Sequence, residues 1–341
     1  MKRRVTLTDI AKVVGVSHVT VSLALRNHPS ISEATKERVR ATAKQLGYRP
    51  DPALTSLIYH RYTSHQPRYQ ATLAWINAWE DREYTRTMYG LHLKGAQRKA
   101  QQMGYQLEDF WLYEKGMTER RFSSILRARR IQGLLLPSMP KAHTWLNLPW
   151  KHFSAIAFGY SHEPLFHLVT NNQYQIARLA VEKLHALGYR KIGLLSSRDY
   201  EERTEHLTTA GYTIEASLHG LKPLVLSLIK HITEPGQMDK VLAWIDRKKP
   251  DVLLSPFNRI NHLLEDASVR VPQDIALALI SRPPVLPQIA GVDHRSEILG
   301  ETAVERLVGQ INQNELGLPA YPLRTLLNGS WCDGPSCPPR Q

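Results

Sequence analysis

Apolar positions fall at helical spacing through the first fifty residues. Thereafter they fall in short unbroken runs separated by helical stretches. Thr6 with Asp9 three positions later has the spacing of a helix-capping pair, and Ile10, Val13 and Val14 give that helix an apolar stripe. Gly15 permits a sharp turn, Val16 plugs the gap, and Ser17 caps a second helix over 18–25 with Val21, Ala24 and Leu25 inward. A polar turn, Asn27-His28-Pro29-Ser30, leads to a third helix capped by Ser32, carrying Val39, Thr42, Ala43 and Leu46, and stopped by Gly47.

From residue 71 the pattern changes. Apolar runs at 71–76, 105–110, 133–136, 153–158 and 190–195 predict buried strands, with further candidates at 223–226 and 251–254. Helical spacing predicts helices over 86–103, 118–129 and 173–187, and near 203–210 and 236–247. Alternating helices and wholly apolar strands imply parallel sheets covered on both faces. The length exceeds one doubly wound unit and fits two, with a cleft between them.

Composition sharpens this picture. The 341 residues are 42 % apolar and 22 % charged, an ordinary globular balance. The formal charge is +13, and it is unevenly placed. Residues 1–50 hold ten Lys/Arg against three Asp/Glu, a net of +7 in one seventh of the chain. A compact helical segment so basic points to a phosphate-binding surface. Cys332 and Cys337, the two cysteines, exclude a disulfide scaffold and a zinc site built on cysteine alone. No run approaches the roughly 20 apolar residues of a membrane span and no leader pattern opens the chain, so a cytoplasmic protein without membrane association is expected.

Three short helices with a glycine-centred turn between the first two suggest a helix-turn-helix, whose second helix enters the major groove by its N-terminal end. Thr6, Asp9, Ile10, Ala11, Gly15, Val16, Ser17, Thr20, Val21 and Ser22, continuing through Ser32, Thr35, Arg38, Val39, Leu46, Gly47, Tyr48, Arg49 and Pro50, make this stretch resemble the headpiece of the LacI/GalR family of bacterial transcription regulators. The resemblance places His18, Val19 and Leu23 at base-reading positions, where many relatives carry Arg instead of Leu23. Val19 and Leu23 can meet thymine methyls. The other reading is that Leu23 packs inward. Thr6, Ser17, Thr20, Ser22 and Ser30 suit phosphate contacts, and Arg26 completes the outer face. Leu57 matches the family's minor-groove wedge in a hinge helix, with an apolar linker as the alternative.

The same resemblance extends over the body and implies a periplasmic-binding-protein-like core of two doubly wound α/β lobes. It is carried by Asn171-Asn172 with Ala177 to Ile192, by Val271 to Ala276, by Ala290 to Asp293 with Leu299 to Leu307, and by Pro319 to Trp331. The implied organisation is a headpiece over 1–50 and a hinge over 51–60. The first lobe is 70–170 with 292–320, the second 171–291 with 321–332, and 333–341 form a disordered tail. Crossings between lobes are expected near 168–172, 290–293 and 319–322.

The positions where relatives carry charged effector anchors hold Asn171, Thr208, Phe257 and Ser281, with Asn172 adjacent. Phe257 could stack on a sugar or plug a gap. Two readings stand. One is a neutral or more apolar effector held by hydroxyl and aromatic groups, with Trp75, Tyr84, Tyr89, Phe158 and Tyr160 as candidates. The other is a core that no longer takes a small molecule. No nucleophile elbow, phosphate loop or dinucleotide fingerprint occurs, and the histidines lack ligand spacing, so no enzyme, cofactor or metal is expected. Gly90 and Gly95 read as packing residues. The expected partners are a second copy, palindromic operator duplex and a small-molecule effector; the expected outcome is repression.

Overall fold

A computed structural model describes residues 5–25, 30–48 and 71–340. Three helices open it: α1 (Leu7–Val14), α2 (His18–Leu25) and α3 (Glu33–Gln45). Ile10, Ala11, Val14, Val21, Ala24, Val39 and Ala43 form their shared core, closed by Leu25, Leu46 and Tyr48. Val13, expected inward, is 63 % exposed. Positions 10, 11 and 14 already fill the stripe that faces the two other helices. Arg26 and the 27–29 turn, the hinge at 51–60 and Leu57 lie outside the described residues.

The body holds two six-stranded sheets. The first is built from β1 (Ala71–Asn77), β2 (Tyr105–Trp111), β3 (Gly133–Leu136), β5 (Ser154–Phe158), β7 (His167–Asn171) and β13 (Arg324–Leu327), in the order β13-β7-β5-β3-β1-β2. The two-residue strands β4 (Thr144–Trp145) and β6 (His162–Glu163) pair beside it. The second sheet is built from β8 (Ile192–Ser197), β9 (Leu224–Leu228), β10 (Val252–Ser255), β11 (Ala276–Leu279), β12 (Ala290–Asp293) and β14 (Ser330–Cys332), in the order β14-β12-β11-β10-β8-β9. Only the β12–β14 pairing is antiparallel among the described strands. Strands such as Gly-Leu-Leu-Leu at β3 and Ala-Leu-Ala-Leu at β11 are buried throughout because helices cover both faces.

The helices are α4 (Arg82–Gln102), α5 (Glu119–Ala128), α6 (Gln173–Ala186), α7 (Arg198–Arg203), α8 (Leu207–Leu218), α9 (Gln237–Lys248), α10 (Ile260–Asp266) and α11 (Ser296–Gln313). Two apolar clusters flank each sheet. On the first lobe, α4 and α11 touch backbone to backbone. A Cβ at Gly95 would collide with the Glu297 carbonyl, and one at Gly300 with the His92 carbonyl. Lys94 and Arg98 pair with Glu297 at 2.9 and 2.7 Å, and Arg98 also pairs with Glu301 along this seam. Gly95 is thus a packing residue, whereas Gly90 faces open space. Asp293 accepts from the Arg295 amide at 2.8 Å, which fixes the entry into α11.

Two expectations are corrected. Residues 321–332 do not go together to the second lobe: Arg324–Leu327 pairs with β7 in the first sheet, and β14 alone joins the second. The third crossing therefore lies at Asn328-Gly329, where the chain threads so close to Val292 and Ile176 that a Cβ would clash. The tail is also ordered through Arg340. Ser336 Oγ donates to the Leu277 carbonyl at 2.6 Å and accepts from the Ala290 amide at 2.8 Å. Tyr189 donates to the Pro338 carbonyl, Arg340 pairs with Asp251 at 2.7 Å, and Cys337 is buried. The tail's composition reads as disorder, but its residues meet polar groups of core strands that need partners. Both cysteines are free thiols, and burial pushes the Cys337 thiol up to about 12.

Candidate nucleic-acid interface and interlobe cleft

In the headpiece, caps place the functional side chains. Thr6 Oγ1 accepts from the Asp9 amide at 3.3 Å while Asp9 Oδ2 accepts from the Thr6 amide at 2.8 Å, a reciprocal box that starts α1. Gly15, at φ +76°, ends α1 in the left-handed conformation. Ser17 Oγ then accepts from the Thr20 amide at 3.0 Å and starts α2. The two helices are bent 102° apart, within the helix-turn-helix range. Arg38 donates to the Val14 carbonyl at 2.8 Å and ties α3 to the end of α1, a contact the pattern alone does not announce.

This frame turns the leading end of α2 outward. Ser17, His18 and Val19 are exposed, Val19 at 52 %, while Val21 and Ala24 anchor the opposite face. Leu23 is half-buried and outside the headpiece core, which takes Leu25 instead. Thr6 and Ser30 are exposed, and Thr20 and Ser22 half-buried. A capped helix start flanked by exposed hydroxyls is the kind of end that suits an anion, and His18 and Val19 stand exposed at it.

The expected effector residues have structural partners. Asn171 Nδ2 donates to the His294 carbonyl at 2.8 Å. Asn172 caps α6 and donates from Nδ2 to Asn328 Oδ1 at 3.0 Å. The two asparagines thereby tie all three crossing segments together. Thr208 is buried under the Tyr200 hydroxyl at 3.2 Å. Phe257 sits in the second-lobe core with the His231 ring 5.7 Å away, so it fills a gap. Ser281 is half-buried just past β11. Trp75 and Phe158 are core residues, not cleft residues. With His92, Tyr89 and Trp79 they form a chain of rings at 5.2 to 6.3 Å spacings that leads from that core outward. The side chain of Tyr84 is outside the described set.

Charged groups reach the cleft from other positions than these. The helix foreseen near 203–210 is broken into α7 and α8, and Glu205 and His206 lie between them at φ +51° and +57°. This break faces the first lobe. Arg203 lies 5.9 Å over the Trp79 ring. Leu207 packs against the first-lobe cluster that contains Tyr160 and Phe166. Glu205 receives both terminal nitrogens of Arg324 at 2.7 and 2.8 Å, and Arg324 lies 5.0 Å over Tyr160. Arg203 ends α7, ahead of the break that precedes Thr208, so a helix read as continuous over 203–210 does not bring it to the first lobe. Arg324 comes from 119 residues away and carries no local signal.

Burial governs titration here. Burial pushes His92 down to about 3, with His294 adding to the effect, and His162 and His294 each to about 4. It pushes the Tyr200 hydroxyl up to about 12. Among the described residues no group of three metal-ligating side chains occurs, and no single helix is long and apolar enough to cross a membrane.

A helix-turn-helix joined in one chain to a two-lobed periplasmic-binding-protein-like core defines a class of DNA-binding transcription regulator. Comparison with known proteins agrees. The family described as "Bacterial regulatory proteins, lacI family" matches residues 6–51, and the "Periplasmic binding protein-like domain" matches residues 181–320. The HTH-type transcriptional regulator MalR of Streptococcus pneumoniae is 24 % identical, over 91 % of this chain and 94 % of that protein. The solved CelR–cellobiose complex has the same fold, with a TM-score of 0.61 at 20 % identity over 98 % of this chain and all of that one. The lac repressor dimer bound to operator and the anti-inducer ONPF gives 0.57 at 19 %, with the same coverage. The chain belongs to the LacI/GalR family, whose members are DNA-binding regulators rather than enzymes.

Proposed function

We propose that this regulator binds a palindromic operator as a homodimer, represses by occupying it, and changes operator affinity when a small molecule enters between the lobes. The observation that carries the reading is the leading end of α2. His18 and Val19 stand outward on a capped helix start, in a headpiece that holds most of the excess positive charge. One headpiece offers too little surface for selective binding, so two half-sites are required. The lac repressor structure, a dimer on its operator, supports the same arrangement by fold. The tied crossings support the small-molecule clause: segments joined through Asn171 and Asn172 give two rigid lobes one shared pivot. Effector and operator would then be coupled reciprocally.

The test is selection of random duplex DNA by the full-length protein at physiological salt, read by sequencing. A two-fold symmetric consensus is expected, with thymines opposite Val19 or Leu23. Enrichment of a single unpaired half-site would overturn the homodimer. No enrichment with or without a metabolite panel would overturn specific recognition.

A further inference from the structure

We propose that Glu205 is a built-in carboxylate ligand of a site on the first lobe, and that the effector is a small carboxylate that takes its place on Arg324. This rests on the reading that a small molecule acts between the lobes. Arg324 starts β13 on the first lobe, whereas Glu205 belongs to the α7–α8 break on the second. Their pairing is the two-pronged form by which a guanidinium selects a planar carboxylate. The Tyr160 ring beneath Arg324 holds the guanidinium plane in position.

Three features mark the pair as exchangeable rather than a fixed strut. The Arg324 and Glu205 side chains are 43 % and 38 % exposed, so an incoming anion can reach them. Glu205 and His206 both hold the left-handed backbone, and the hydrogen bonds of this break, such as the His206 amide to the Glu201 carbonyl at 2.8 Å, stay within the second lobe, so the turn does not depend on Arg324 for its shape. Beside the pair lies a cavity of about 20 Å³, lined by Tyr160, His162, Leu165, Phe166, Glu205 and Arg324. His162, 5 % exposed, forms part of its wall. The cavity takes only a water-sized group while Glu205 is in place. A larger ligand must therefore displace Glu205, and displacement releases the second lobe from the first. A neutral sugar offers nothing to replace two charge-assisted bonds.

The experiment uses the full-length protein with Glu205→Gln, Arg324→Gln and the double variant, at constant ionic strength. Calorimetry measures binding of D-glucuronate, with D-glucose as the neutral probe and inorganic phosphate as the other anion. Glucuronate should bind Glu205→Gln at least about tenfold more tightly than wild type, since the competing carboxylate is gone. Binding should vanish in the double variant. Acetate at tens of millimolar should raise the Tm of Glu205→Gln by about 2 °C and leave Arg324→Gln unchanged. The proposal is overturned if Glu205→Gln binds glucuronate no better than glucose, if binding survives loss of Arg324, or if phosphate competes equally. Operator affinity is followed alongside. If a neutral molecule shifts it equally in wild type and Arg324→Gln, the regulator reading stands and this one falls. If no molecule shifts it, the effector clause falls while the calorimetric result still decides the fate of the Arg324 site.

Discussion

The headpiece and the interlobe cleft are built in opposite ways. The polar contacts that frame α2 come from within 33 positions of chain: Thr6 with Asp9, Ser17 with Thr20, Arg38 with Val14. The cleft gathers Trp79, Tyr160, Arg203, Glu205 and Arg324 from four distant stretches. A site made of local caps shows itself as a motif. A site made by strand order shows itself only once the strands are placed. The two also differ in what a substitution does, because headpiece side chains face outward from a small core while the cleft hangs on two large ones.

Four measurements would break or sharpen that contrast. The largest effect is expected from the lobe scaffold. Gly95→Val forces a branched side chain against the Glu297 backbone, and about 3 kcal/mol of stability should be lost in chemical denaturation. Retention of wild-type stability would mean that α4 and α11 can move apart. In the headpiece, His18→Ala should leave folding intact and weaken operator binding by about 2 kcal/mol, roughly 30-fold, in fluorescence anisotropy on the selected duplex. An unchanged affinity would remove His18 from the interface.

The third measurement concerns pH. His92, His162 and His294 are held neutral by burial, with folded values of about 3 to 4 against an ordinary 6.5. Above pH 6.5 neither folded nor unfolded form protonates them, so they impose no penalty. Below it the unfolded chain gains protons that the folded core refuses, and stability falls until about pH 4. Each histidine contributes a slope of about 1.4 kcal/mol per pH unit at most. Replacing His162 by Phe should flatten the thermal-melting profile between pH 6.5 and 4.5 by one histidine's share, and an unaltered profile would show that His162 protonates in the folded state. The smallest effect is Ser17→Ala. Losing the α2 cap should cost about 1 kcal/mol, seen as a lower headpiece melting point with little change in the core.

Much of the chain was legible without coordinates. Helix caps, glycine stops and wholly apolar strands are local, and they located the three headpiece helices, four strands of the first sheet and three of the second. Misreadings arose where one local pattern had two tertiary outcomes. Val13 looks as apolar as Val14, yet the other helices cover only one of them. Residues 324–327 are too short and too mixed to declare a sheet, and only pairing with β7 assigns them. The asparagines at 171 and 172 carry the polarity of ligand residues, but their partners, His294 and Asn328, come from the other crossings.

The sequence by itself determined the class of this protein: a basic helix-turn-helix followed by two parallel α/β lobes. Those features rest on interactions between near neighbours, where spacing is geometry. The tertiary structure decided that the tail caps the second sheet, that the crossings are tied by asparagines, and that Glu205 meets Arg324 under the lobes' joint. Each joins groups from separate stretches of the chain, and no periodicity records which strand lies beside which.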